Sequence, residues 1–162
     1  MSGARRLLVL GGIVLAATGM LYGLHYAVFV EHQTLDRLGE SLASGFVHAA
    51  GRQMSDARAD VASYGATKYD YVRQVDLHSH WIGLGMLLIL LGVAFDSVAL
   101  GKRMQLVMAL ALVIGSTMFP LGVILQTVSH GAAYARALAV AGSALVIAAL
   151  AAVTVGFARP SA

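Results

Sequence analysis

The residues of this chain best suited to chemistry are its six histidines: His25, His32, His48, His78, His80 and His130. Neutral imidazole is the commonest metal ligand among side chains. The chain contains no cysteine, which excludes thiolate metal sites, iron–sulfur clusters and cysteine nucleophiles. His25, His78 and His130 each fall near the end of a different apolar stretch. An ionisable group inside a membrane span is costly, and is read first as functional. His78 and His80 are two residues apart, so on a helix they point about 200° away from each other. They share a face only if the chain there is extended. Gly85 and Gly92 follow His78 at i+7 and i+14 on one helix face. Two missing side chains leave a slot that a flat macrocycle needs and that close helix packing also uses. His25 shares its face with Thr18, Leu21 and Tyr22, and His130 lies four residues after Gln126.

Apolar helices must position these groups. Of 162 residues, 59% are hydrophobic and 12% charged, about half the charge of an ordinary soluble domain. That balance excludes a typical cytosolic globule and a disordered tail. About 20 apolar residues cross a hydrocarbon core of about 30 Å. Four stretches qualify, at about 7–30, 78–100, 104–127 and 132–157. The first is too long for a signal-peptide core, so a retained span is expected. The expected fold is all-α: an integral membrane four-helix bundle forming one membrane domain over 1–162, with a helical extramembrane segment at about 31–76. The net charge is +3 with scattered basic residues, so nucleic acid is not an expected partner.

Basic residues in short segments set the orientation. Arg5 and Arg6, Lys102 and Arg103, and Arg159 fall on one side if all four spans are real. Both termini are then cytoplasmic and the long segment lies outside. The Ala- and Gly-rich style suggests a bacterial inner membrane, with the long segment periplasmic. All six histidines would then lie in the outer half or beyond it.

Within 31–76, Leu35, Leu38, Leu42 and Phe46 recur at helical spacing, so the first helix is expected to continue to about Ala50 and stop at Gly51. Met54, Ala57, Val61 and Tyr64 predict a second short helix ending near Gly65. Tyr69, Tyr71 and Trp81 suit an interfacial aromatic zone. This segment reads as a cap over the bundle or, more sharply, as a docking platform for a partner. Small-residue stripes at Gly12, Ala16, Gly19 and Gly23 and at Ala137, Ala141, Ala144, Ala148 and Ala152 are expected helix-packing faces. Pro120, between Gly115 and Gly122, predicts a kink, with Ser116 and Thr117 satisfying freed backbone groups. Asp96 is expected to pair with Lys102 or Arg103.

The run Arg73-Gln74-Val75-Asp76-Leu77-His78-Ser79-His80, followed by Trp81 and Leu84-Gly85-Met86-Leu87, resembles the second membrane helix of haem–copper oxidase and nitric oxide reductase catalytic subunits. It is also similar to small four-span bacterial membrane proteins with a His-x-His helix start. In the first family the histidine of a Leu-His-Thr/Ser motif ligates the low-spin haem, which implies His78 as a haem ligand here. Four spans and no identifiable three-histidine copper site depart from that family, so oxygen or nitric oxide reduction is not implied.

Three functions follow as expectations. The first is an electron-transfer protein with a b-type haem near the periplasmic face. His78 and His25 would be axial ligands, His130 the substitute, Gly85 and Gly92 the slot, and Tyr22 a lining residue. A quinol or redox protein would be the partner, with Tyr22, Tyr26 or Gln126 as polar contacts. The second is a non-haem site for copper, or for zinc, drawn from His25, His78, His80 and His130 with Asp76 and Glu31. Met20 and Met118 would be added for Cu(I). The third is a cofactor-free structural or assembly subunit of a larger membrane complex or homo-oligomer. No inverted repeat marks a transporter.

Overall fold

The computed structural model describes residues 2–129 and 132–158. Among the described residues there is no strand, and short turns alone separate the helices. The elements are α1 (Gly3–Phe29), α2 (Glu31–Ala50), α3 (Met54–Ala94) followed by a single 3-10 turn (Phe95–Ser97), α4 (Lys102–Val128) and α5 (Ala133–Ala158). Four of them are long and apolar enough to cross a membrane: α1, α3 with its 3-10 turn, α4 and α5. This is a multi-pass membrane protein built as an all-α bundle. The helices divide into two compact units, residues 1–20 with 77–162, and residues 21–76.

In the larger unit, α1 and α3 run antiparallel through glycines. A Cβ placed on Gly12 would stand 2.6 Å from the Gly85 carbonyl oxygen, and one on Gly85 would stand 2.7 Å from that of Gly12. Each Cα therefore faces the other's carbonyl, the geometry of weak Cα–H···O contacts between helices. Gly19 lies against Trp81 and Ile82, and Gly92 against Leu8 and Val9. Gly12, Ala16 and Gly19 of the stripe expected on the first span form the contact face. At one end, the Ser2 hydroxyl donates to Asp96 Oδ1 at 2.6 Å and Arg5 Nη1 to Asp96 Oδ2 at 3.2 Å. Asp96 thus pairs with Arg5 rather than with Lys102 or Arg103, because antiparallel packing brings the start of α1 beside the end of α3.

The helices α4 and α5 repeat the device. A Cβ on Gly115 would stand 2.8 Å from the Gly142 carbonyl oxygen, one on Gly142 would stand 3.0 Å from that of Gly115, and Gly122 abuts the Ala139 backbone. The expected Ala stripe on the fourth span is not the contact face. Ala137, Ala141, Ala144 and Ala148 are not among its buried residues, which are Ala135, Ala139, Gly142, Val146, Ala149, Val153 and Gly156. Both faces of α5 carry small residues, and the one bearing glycines wins because it admits α4 most closely. Pro120 lies inside α4. The Thr117 hydroxyl donates to Val113 O at 2.9 Å, and the buried Ser116 hydroxyl has no partner among the described residues. Ser116 does not supply the backbone repair expected of it.

The smaller unit is a hairpin of α2 against the first half of α3. The expected continuation of the first helix is interrupted at a single residue, Val30 (φ −123°, ψ −41°), before α2 starts. Gly51 caps α2 as expected. The left-handed residue of the turn is, however, Arg52, at φ 57°. Arg52 N–H donates to Ala49 O at 3.0 Å and Gln53 N–H to His48 O at 2.8 Å, a Schellman reversal. The expected helix end near Gly65 does not occur. No Pro interrupts the stretch, one interior glycine costs only about 1 kcal/mol, and α3 runs on without a break from Met54 to Ala94.

Candidate functional site

The candidate histidines fall in both units, His25 in the smaller and His78 and His80 in the larger. His25 is exposed on α1, its ring 5.3 Å from that of Phe29. Its neighbour Tyr26 is the buried side chain at that level, 4% exposed, with its ring 6.4 Å from Tyr71. His78 is half-buried and His80 exposed. His80 lies against Phe119 of α4, with ring centroids 4.8 Å apart. Both residues are helical, so their side chains diverge by about 200° and cannot hold one ion together. His130 lies outside the described residues. Among those described, no group of three or more His, Asp or Glu side chains is arranged to hold a metal ion.

The haem slot expected at Gly85 and Gly92 is filled by protein. Gly85 lies against Ala16 and Gly12, and Gly92 against Val9 and Leu8. The glycines that open the face below His78 admit α1, the close packing that the sequence also allowed for them. Two of the three residues named for a quinol are engaged. Tyr22 donates its hydroxyl to Gln74 Oε1, and the buried Gln126 amide donates to Gly122 O on its own helix at 3.2 Å. Trp81, expected at an aromatic rim, is 7% exposed and packs against Gly19.

The unusual chemistry lies instead on the hairpin of α2 and α3. Its inner seam is small and polar. Thr34 and Gly45 are the buried residues of α2. His48 Nδ1 and Asp60 Oδ2 are 2.7 Å apart. The Ser41 and Ser63 hydroxyls meet at 3.5 Å, and Tyr71 donates to Glu31 Oε1 at 3.2 Å. Gly45 sits over Asp60 and Ala57.

The large apolar side chains lie on the outer flank. Phe46 is 70% exposed, Val61 63%, and Leu35 and Leu42 45% each. With Gly45, Ala57 and Tyr64, the side chains of Leu42, Phe46 and Val61 line a depression of about 370 Å³ that is almost wholly apolar. Lys68 Nζ stands 5.7 Å from the centre of the Tyr64 ring at its edge. Of the expected face Leu35, Leu38, Leu42 and Phe46, the structure leaves Leu35, Leu42 and Phe46 exposed and Leu38 half-buried. Helical spacing does not say whether that face turns toward α3. The signal that decides it is a second stripe one step round α2, Thr34, Ser41, Gly45 and His48, whose small and polar groups match Asp60 and Ser63 opposite.

No family model, no curated protein and no solved structure matches the chain.

Proposed function

We propose that this chain is a non-catalytic membrane subunit that holds or helps assemble a larger complex. Its hairpin of α2 and α3 is the platform on which a partner chain lays an amphipathic helix. One observation carries this reading: the hairpin closes with small and polar side chains and leaves Leu42, Phe46 and Val61 on the outside over an apolar depression. The helix α2 is not one of the four apolar enough to span a membrane, and it carries Glu31, Asp36, Arg37 and Glu40. Lipid is therefore not its natural cover. A contiguous apolar patch bordered by charge is the mark of a protein–protein contact, and an i, i+3, i+4 face laid into an apolar groove is a common way to make one. By the positive-inside rule, Arg5, Arg6, Lys102 and Arg103 face the cytoplasm of a bacterial inner membrane, and segment 31–76 meets its partner in the periplasm.

The test is photo-cross-linking in native membranes from Phe46 and Val61, with Arg37 and Ala59 as controls on other faces. The expected result is one identified partner chain trapped from Phe46 and Val61 and not from the controls, with the adduct lost in Leu42→Glu. Adducts to lipid alone, to a second copy alone, or in equal yield from Arg37 would overturn it. So would a Soret band in the purified chain that shifts on reduction and disappears in His78→Ala.

A further inference from the structure

The glycine contacts sort the larger unit into two tight pairs, α1 with α3 and α4 with α5. Between the pairs, α1 and α4 meet at Gly11, where a Cβ would stand 3.0 Å from Val113 Cγ2. Beyond that contact a cleft of about 470 Å³ opens, with Val14, Leu15 and Thr18 on one wall, Thr117 and Leu121 on the other, and Trp81 alongside. Its rim faces outward, Val14 being 65% exposed and Leu121 40%, while Trp81 is 7% exposed.

The chemistry of the cleft is narrow. The Thr18 hydroxyl donates to Val14 O at 2.8 Å and the Thr117 hydroxyl to Val113 O at 2.9 Å. Neither has a proton left to donate to an occupant, and the rest of the lining is almost wholly apolar. The cleft extends from Leu10 to Thr18, about 12 Å at 1.5 Å per residue. Around membrane-spanning helices the surrounding medium is lipid tails, and a void left unfilled forfeits the dispersion contacts of its whole lining.

We propose that this cleft between α1 and α4 binds one acyl chain of a membrane phospholipid, held against Trp81 as a fixed part of the bundle. Trp81 is the one tryptophan of the chain, so its emission reports on the site without ambiguity. The full-length protein is reconstituted in vesicles of phosphatidylcholine brominated at mid-chain and in unbrominated vesicles. A heavy atom quenches only on contact, and a largely buried indole is poorly reached by lipid that merely surrounds the bundle. The wild type is expected to lose more than half of its emission to bromine. Thr117→Phe and Thr18→Phe fill the cleft from opposite walls. Each is expected to abolish most of that loss while keeping wild-type helix content. A wild type that is not quenched, or filled variants quenched as strongly as wild type, would overturn the proposal. So would quenching by a long-chain quinone in unbrominated vesicles that Thr117→Phe removes, since that assigns the cleft to an isoprenoid.

Discussion

Replacing Gly85 by alanine tests the packing on which the larger unit rests. The added Cβ would lie 2.7 Å from both Ala16 N and Gly12 O and 2.9 Å from Ala16 Cβ. Ordinary contact starts near 3.4 Å, so α1 must retreat by about 0.7 Å, which is enough to forfeit a quarter to a half of the attractive well between facing atoms. Backbone cannot rotate aside as a side chain does, so the usual overpacking cost of about 1–3 kcal/mol applies. Gly83 supplies the control. It lies two residues away on the same helix, and a Cβ there meets nothing within 4 Å. Both substitutions change intrinsic helix propensity equally, so the difference between them isolates the contact. Unfolding of each variant in mixed micelles of mild detergent and dodecyl sulfate, followed by Trp81 emission and circular dichroism, should place Gly85→Ala about 1–3 kcal/mol below Gly83→Ala. If the two agree within about 0.5 kcal/mol, the scatter of neutral substitutions, α1 and α3 do not approach through these glycines.

Arg52→Gly should stabilise the hairpin by about 1 kcal/mol, because a non-glycine residue at φ 57° bears the left-handed steric penalty; denaturant midpoints of the two proteins measure it, and Arg52→Val should move the opposite way. Ser116→Ala should be neutral or raise stability by about 1 kcal/mol, since it removes a fully buried hydroxyl that has no partner among the described residues; thermal unfolding in detergent is the readout.

Much of the architecture is readable in composition and spacing. Apolar length fixes the four spans, because nothing shorter crosses hydrocarbon and no span carries a run of charge. The stop at Gly51 and the contact stripe Gly12, Ala16 and Gly19 follow from residue type alone. The misreadings share a cause. An alanine stripe on α5 is compatible with two partners, and sequence does not say which helix comes alongside. Gly65 suggests a helix end because glycine is a weak helix former; the uninterrupted run on both sides of it outweighs one such residue. Position along the chain sets the depth of a histidine and not its azimuth. Azimuth decides what a side chain reaches, and His25 lies one residue from the buried Tyr26, which is about 100° around the helix.

The reversal at Gly51 to Gln53 has a practical corollary. Arg52 is exposed and held in a left-handed conformation, and such tips are where chains are nicked and where insertions are tolerated. A trypsin-like protease cutting after Arg52 would open the chain between two arms that the His48–Asp60 and Tyr71–Glu31 contacts still join laterally. In sealed vesicles of known sidedness, susceptibility of that one bond would report which compartment the tip occupies. The same peptide bond is a natural seam for splitting the polypeptide into two co-expressed fragments or for grafting a reporter.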